Sequence, residues 1–106
     1  MKIAIAALKK KENAPVSDQA GRAPFYLLFD EKSELVEKIS NPFSRGGGGA
    51  GFGVAKMLAD MKVDLVVAGT FGEKIIGALE ERGLRYLEMS GTAGEAARRI
   101  NAERQE

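Results

Sequence analysis

KIAIAAL, the stretch from Lys2 to Leu8, is apolar at odd and even positions alike. Because successive side chains of a strand point to opposite faces, a strand with this pattern is apolar on both faces. Such strands lie in the middle of a sheet and are covered by helices on both sides. The stretch is too short to span a membrane and lacks the cleavage site of a signal peptide. It predicts an α/β protein with residues 2–8 as a central strand.

Four more strands are predicted outward from this one. Residues 25–29 and 34–39 flank a short polar turn, which predicts an antiparallel hairpin, and the charges of its second strand predict a sheet edge. Further strands are predicted at 63–68 and 84–88. Apolar residues at helical spacing predict helices from near Gly51 to Met61, over 73–82 and over 92–102.

The element order β-β-β-α-β-α-β-α sets the architecture. Right-handed crossovers place strands one, four and five side by side and parallel, and the hairpin completes the other flank. The sequence therefore predicts a three-layer α/β/α fold. Its five-stranded mixed sheet has the order 3-2-1-4-5, with strand two antiparallel to its neighbours.

Composition excludes several classes of function. A chain of 106 residues fits a single domain, residues 1–106. It contains no Cys and no His, which excludes disulfides, thiol nucleophiles, Ser-His-Asp triads and imidazole metal sites. The acidic residues show no paired spacing, so we expect no catalytic residues, no metal site and no enzymatic activity. The net charge of +1 predicts neither a nucleic-acid nor a membrane partner, and we expect a cytoplasmic protein.

A glycine-rich loop covers residues 41–53. It is not a Walker A loop, because Lys56 is not preceded by Gly and is not followed by Ser or Thr. It does not match the dinucleotide fingerprint either. Two interpretations stay open: a flexible lid or connector, or a cradle for a phosphate, an oxyanion or a metal cluster, with Arg45 as a bidentate clamp.

The pattern Gly-Thr-x-Gly-Glu occurs twice, at residues 69–73 and 91–95, each time between a strand and a helix. One interpretation is a pair of turns with Thr N-caps, and Thr92 with Glu95 forms a capping box. The other is a matched pair of backbone N–H cradles for an anionic ligand.

These segments converge on one edge of the predicted sheet, because strands one, three, four and five run the same way. Open α/β sheets bind ligands at the carboxyl ends of their strands. The long polar stretch 9–24 lies at this edge too, and such loops are usually functional or mobile. We expect residues 9–21 and 45–51 to be the least ordered, since polar and glycine loops lack buried contacts. The predicted ligand-binding residues are Lys9, Lys10, Arg22, Arg45, Gly46, Gly47, Gly48, Gly49, Gly51, Thr70, Gly72 and Thr92.

Several motifs, in order, resemble one family. Residues 16–25 read VSDQAGRAPF and resemble a family segment that typically reads Val-Ser-x-His-Phe-Gly-Arg-Ala-Pro. Asn41-Pro42, the glycine run, AGTFG at 68–72 and GTxxEA at 91–96 follow. Over nearly its whole length the chain resembles the dinitrogenase iron–molybdenum cofactor biosynthesis family. The resemblance implies a ribonuclease H-like fold. It also implies a carrier or chaperone role for an iron–sulfur or iron–molybdenum cofactor precursor, as in nitrogenase accessory factors.

The chain departs from the family pattern where Gln19-Ala20 replaces the usual His-Phe pair. Without Cys or His, cluster binding would depend on carboxylates, Met, backbone amides and the charges of Arg and Lys. We expect a non-enzymatic domain that binds such a precursor, or another anionic ligand, at the C-terminal edge of the sheet. The alternatives are a regulatory protein-interaction module that kept the scaffold and lost the ligand, and a phosphate or nucleotide binder.

Overall fold

The computed structural model of the chain describes residues 1–45 and 49–104. Five strands and three helices follow one another in the predicted order. They are β1 (Ile3–Ala7), β2 (Phe25–Phe29), β3 (Leu35–Ser40), α1 (Ala50–Asp60), β4 (Leu65–Ala68), α2 (Glu73–Glu81), β5 (Arg85–Glu88) and α3 (Ala93–Arg104). No helix within the described ranges is long and apolar enough to cross a membrane.

The sheet has the order β3-β2-β1-β4-β5, as predicted. Strand β2 is antiparallel to β1 and β3, while β4 is parallel to β1 and β5 is parallel to β4. Ile5 of β1 pairs with Leu27 on one side and Val67 on the other. All five residues of β1 are completely buried. The two-sided apolar pattern therefore identified the central strand correctly.

Two apolar cores lie on opposite faces of the sheet. On one face, Ala4 and Ala6 of β1 pack in a cluster that includes Val54, Leu58 and Leu79 of α1 and α2. On the other face, Ile3, Ile5 and Ala7 pack in a cluster that includes Ala93, Ala96, Ala97 and Ile100 of α3. Alternate side chains of β1 thus pack into the two cores, and the sheet forms the middle of three layers.

Strand β3 starts and ends one residue later than predicted. The Asp30 carboxylate accepts hydrogen bonds from the backbone N–H groups of Lys32 and Glu34, so the turn continues through Glu34. Ser33 takes a positive φ of 63° within this turn. The register of β3 against β2 then shifts between Leu28 and Phe29. As predicted from its charges, β3 lies at an edge of the sheet.

The long segment after β1 differs from the expectation of a loop without buried contacts. Residues 12–20, which we call the strap, cross the C-terminal edge of the sheet in an ordered path. Ala14, Val16, Ser17 and Ala20 are all buried. The buried positions follow neither helical nor strand periodicity and include the polar Ser17, so the sequence pattern did not reveal them.

Backbone hydrogen bonds hold the strap on two sides. The Ser17 N–H donates to the carbonyl of Ala6 at the end of β1, and Gly69 N–H donates to the carbonyl of Ser17. On the other side, Ala93 N–H donates to the carbonyl of Ala14 at the start of α3. The strap is therefore bonded to β1, to the turn after β4 and to the start of α3. The expectation that it lacks buried contacts is wrong.

Candidate functional site

A cavity of about 590 Å³ opens at the C-terminal edge of the sheet, between the strap and the starts of α1 and α2. We call it the edge cavity. The strap and the residues after it contribute Gln19, Ala20, Gly21 and Arg22, and the helices contribute Ala50, Gly51, Gly72, Glu73, Lys74 and Ile75, together with Thr70. It thus lies where parallel α/β sheets generally place their ligands.

Two helices begin at this cavity, and both have glycine as N-cap. Gly49 caps α1 with φ 92° and ψ 0°, and Gly72 caps α2 in an extended conformation. Glycine has no side chain to accept hydrogen bonds from the N–H groups of the first turn. These groups and the positive ends of two helix dipoles therefore lie at the cavity wall, an arrangement that favours an anion.

The two helix starts approach each other closely. A Cβ atom on Gly51 would lie 3.0 Å from the Cβ of Ile75, so the absence of a side chain brings the first turn of α1 against the first turn of α2. Gly51 thus has a packing role as well as a place in the cavity wall.

Charged side chains at the cavity are Arg22, Lys74 and Glu73. Within residues 1–45 and 49–104 the ion pairs are Lys56 with Asp60 and Arg82 with Glu81, so Arg22 and Lys74 have no carboxylate partner there. Two unpaired cations and one carboxylate leave the wall with a positive balance, which the helix ends increase. Arg22 also offers planar, bidentate donors that suit oxyanions and other multiply charged anions.

Tyr26 of β2 holds one residue of the cavity wall, Ala20, in place. Its hydroxyl donates to the carbonyl of Ala20, and burial raises the pKa of the Tyr26 phenol above its ordinary value. The neutral phenol is therefore the form in which this bond is kept. Tyr26 fixes the strap at the position next to Gln19.

Thr70 also holds the strap in place, through two hydrogen bonds. Its backbone N–H and its hydroxyl both donate to the carbonyl of Asp18, at 2.6 and 2.7 Å. The hydroxyl hydrogen is thus already used inside the protein. Thr70 lines the edge cavity, but in this state it offers a ligand lone pairs rather than a donor.

A second cavity, of about 490 Å³, adjoins the first across the strap. Gln19 and Arg22 line both cavities and form the wall between them. Leu8 and Pro24 line the second cavity on its far side, and Asp18 adds a carboxylate. Arg22 is therefore positioned to serve either space.

The two Gly-Thr-x-Gly-Glu segments differ in structure despite their shared pattern. In the second, the Thr92 hydroxyl accepts from the Glu95 N–H and donates to the Glu95 carboxylate, so Thr92 is an N-cap as predicted. In the first, the N-cap is Gly72 rather than Thr70. The interpretation of two equivalent Thr caps is wrong, because α2 begins at Glu73, three residues after Thr70, whereas α3 begins directly after Thr92.

The predicted ligand residues divide into those at the edge cavity and those elsewhere. Arg22, Gly51, Thr70 and Gly72 line it, and Gly49 is the N-cap of α1. Thr92 lies across the strap, at a separate cavity of about 260 Å³ at the start of α3. Lys9, Lys10 and Arg45 are exposed and line neither the edge cavity nor the second cavity. Gly46, Gly47 and Gly48 lie outside the described residues.

The separation of Thr92 from Thr70 follows from the layers. Helix α2 packs on the face that holds Ala4 and Ala6, and α3 packs on the opposite face. The strap runs between the two turns, with Pro15 bridged to Thr92 and Gln19 bridged to Thr70. One compact ligand inside the edge cavity, at the start of α2, therefore does not also reach the start of α3.

Comparison with known proteins assigns the family. The model of the dinitrogenase iron–molybdenum cofactor family matches residues 1–103. The chain belongs to this family. No curated protein matches it. The family assignment confirms the resemblance seen in the order of the motifs.

Solved structures share the fold. The apo form of the orange protein from Desulfovibrio gigas is 24% identical, with a TM-score of 0.89 over 96% of this chain and 88% of that one. A Thermotoga protein described as a candidate NifB protein is 25% identical, with a TM-score of 0.76 over 96% and 87%. A Methanocaldococcus jannaschii protein described as a candidate dinitrogenase is 12% identical, with a TM-score of 0.65 over 97% and 89%.

Seven of the eleven edge-cavity residues were not among those predicted, and two of them, Gln19 and Lys74, carry polar side chains that can donate hydrogen bonds to a ligand. Gln19, which stands where the family segment usually has His, is exposed and lines both the edge cavity and the second cavity. The family pattern pointed to this position, although the residue type did not. Lys74 lies in the first turn of α2, and the only signal for it was its place just after a predicted strand-to-helix turn.

Among the described residues, the edge cavity has one metal-binding side chain, the carboxylate of Glu73, and no cluster of them. The sequence has no Cys and no His, and the described residues contain no group of three or more Asp or Glu side chains that could hold a metal ion. The chemistry available at the edge cavity is N–H donation and positive charge. Such a site fits an anion that brings its own metal ligands, and it does not fit a bare metal ion.

Proposed function

We propose that this chain is a non-enzymatic binding domain that carries an anionic iron–sulfur or iron–molybdenum cofactor precursor in the edge cavity. The observation that carries the proposal is the convergence of two glycine-capped helix starts on one cavity beside Arg22 and Lys74. Membership of the dinitrogenase iron–molybdenum cofactor family supports the class of cargo. A cytoplasmic location stays a prediction from the sequence.

The donor set defines how such a cargo would be held. A cluster that keeps its own sulfide and thiolate ligands presents negative charge on its surface, and backbone N–H groups and Arg are suited to that charge. In this arrangement the protein contacts the outer ligands and forms no bond to iron or molybdenum. Release then needs no ligand exchange at the metal, which suits a carrier.

The same chemistry accepts smaller oxyanions, so the experiment must separate the classes of ligand. We suggest an anaerobic NMR titration of the ¹⁵N-labelled chain with phosphate, with molybdate and with a water-soluble, thiolate-ligated four-iron, four-sulfide cluster. The proposal expects the cluster to perturb the amides of Gly49–Phe52 and Gly72–Ile75 at lower concentration than phosphate does. Shifts confined to surface lysines, or none at millimolar cluster, would overturn it.

Substitutions test the contacts. We expect Arg22→Gln and Lys74→Gln each to weaken cluster binding by about three- to tenfold, because both side chains are exposed and solvent reduces a charged contact to about 1 kcal/mol. Lys32→Gln is the matched control, because Lys32 is an exposed lysine in the β2–β3 turn at the opposite edge of the sheet. Equal losses in all three variants would indicate non-specific attraction and not a site.

The same titration distinguishes the two alternative functions, a phosphate or nucleotide binder and a protein-interaction module. Preferential binding of phosphate would favour the phosphate or nucleotide binder. A protein-interaction module has one observation in its favour: Phe52, on the outside of α1, is 55% exposed and has the Arg82 guanidinium 4.5 Å from its ring centroid. A chain that binds none of the three anions would leave that class in place.

A further inference from the structure

Three consecutive lysines, Lys9, Lys10 and Lys11, form an exposed turn directly after β1. The turn is tied at its base, since Leu8 N–H donates to the carbonyl of Pro15 and Ala14 N–H donates to the carbonyl of Lys11. Burial of Ala14 anchors the returning chain. The backbone at the base of the lysine turn is therefore held in place at the C-terminal edge of the sheet.

The lysine turn adjoins the second cavity. The Lys10 ammonium lies 5.3 Å from the centroid of the Phe25 ring, at the start of β2. Leu8 and Pro24 line that cavity, and they are the chain neighbours of Lys9 and Phe25. The lysine charges thus lie at the rim of the second cavity rather than inside it.

A series of cations leads from this rim to the edge cavity. Arg22 stands in the wall between the two cavities, and Lys74 lies in the edge cavity itself. The ion pairs found within residues 1–45 and 49–104 include neither Lys9 nor Lys10, nor Arg22 or Lys74. The carboxylates of Asp18 and Glu73 line the cavities and oppose this field only in part.

We propose that Lys9 and Lys10 form an outer capture site that draws an anionic ligand to the rim of the second cavity, from which it passes Arg22 to the edge cavity. This inference rests on the proposed function. It gives the two lysines a role in the rate of association and not in the final contacts. Charges at a cavity rim raise association rates because they act over about 10 Å at an ionic strength of about 0.1 M.

The test is stopped-flow association of the four-iron, four-sulfide thiolate cluster under anaerobic conditions, followed by quenching of tyrosine fluorescence. The double variant Lys9→Gln/Lys10→Gln is compared with the wild-type chain and with Lys32→Gln/Arg104→Gln. The control pair removes the same charge at the opposite edge, where Lys32 follows β2 and Arg104 ends α3.

We expect the lysine variant to associate about three- to tenfold more slowly at an ionic strength of about 0.02 M, and less than about twofold more slowly at about 0.5 M. Its dissociation rate should be unchanged, and the control should follow the wild type. A lysine variant whose association rate matches the control at low salt would overturn the proposal. A faster dissociation rate with normal association would also overturn it, because the lysines would then be contacts. Failure of the wild-type chain to bind the cluster would instead overturn the proposed function.

Discussion

The buried phenol of Tyr26 links the stability of the protein to pH. Burial raises the pKa of this group in the folded state, while the unfolded chain ionises near the ordinary value of about 10. Above that pH the unfolded state loses a proton that the folded state keeps. The stabilising contribution is therefore complete below pH 10 and is lost as pH rises towards the raised folded value. We expect the free energy of unfolding to fall by up to about 1.4 kcal/mol per pH unit from this group.

Tyr26→Phe should flatten that alkaline dependence, measured by urea unfolding at several values between pH 9 and 11.5. At neutral pH the same change should cost about 0.5–1.5 kcal/mol, because the carbonyl of Ala20 loses its donor. Tyr86→Phe is the matched control, since Tyr86 is the other tyrosine of the chain and is 36% exposed. If both variants flatten the profile equally, the assignment to Tyr26 is wrong.

Asn101 holds the β2–β3 turn against α3. Its side-chain amide donates to the carbonyl of Asp30 at 3.1 Å and to the Ser33 hydroxyl at 2.8 Å, while its buried Oδ1 has no partner among the described residues. Asn101→Ala should lower the free energy of unfolding by about 1–3 kcal/mol, the cost of leaving buried polar groups unpaired. Exposed Asn13 supplies the control, and Asn13→Ala should stay within about 0.5 kcal/mol of the wild type. If Asn101→Ala leaves the free energy of unfolding unchanged, water replaces the hydrogen bonds to the Asp30 carbonyl and the Ser33 hydroxyl, and the prediction is wrong.

Among the elements, the strap depends on one close approach. A Cβ atom on Gly69 would lie 2.8 Å from the Cα of Asp18, and backbone atoms cannot yield as a flexible side chain can. Gly69→Ala should therefore displace the strap from the turn after β4. We expect a loss of about 1–3 kcal/mol in the free energy of unfolding and weaker anion binding, measured by chemical denaturation and by the NMR titration.

Gly77→Ala is the opposite case and the control for that substitution. Gly77 is exposed in the middle of α2, and a Cβ atom there meets nothing within 4 Å. Alanine should stabilise the helix by about 0.5–1 kcal/mol. If Gly69→Ala is as stable as Gly77→Ala, the strap can move without cost and its packing is not specific.

The elements also show where sequence patterns suffice. Residues 2–8 predict a central strand because burial on both faces requires apolar residues at successive positions. The sheet order follows from the right-handedness of the crossover connections. The strap has no such pattern. Its path across β1 and β4 is irregular, so its buried residues have no regular spacing in the sequence. The two Gly-Thr-x-Gly-Glu segments mislead for a related reason. Whether Thr caps a helix depends on where the helix begins: α3 begins directly after Thr92, whereas α2 begins three residues after Thr70, whose hydroxyl donates instead to the carbonyl of Asp18 in the strap.

At the scale of the whole molecule, the strap joins parts that the sheet alone does not connect. Its Asp18 carbonyl holds the turn before α2, on one face, and its Ala14 carbonyl holds the start of α3, on the other. Tyr26 adds a bond from within the core beneath α1 and α2. The strap side of the edge cavity is therefore bonded to elements on both faces of the sheet, and we expect a change in either core to reach the cavity wall through the strap.

Hydrogen exchange can test this coupling across the molecule. The amide of Ser17 donates to the Ala6 carbonyl in β1, and the amides of Gly69 and Thr70 donate to the strap carbonyls of Ser17 and Asp18. Lys9 and Lys10, in contrast, donate no backbone hydrogen bond within the described residues. We expect the first three to exchange within about tenfold of the β4 amides, and the two lysine amides to exchange much faster.

In Gly69→Ala the strap amides should become faster as a group, while Ala4 and Val66, deep in the sheet, keep their protection. That pattern is the one expected for a cooperative unit bonded at both ends, because opening it breaks several bonds at once. Strap amides that exchange as fast as those of the lysine turn in the wild-type chain would contradict this. The segment would then be the loose loop that its sequence suggests, and the edge cavity would have no fixed wall on that side.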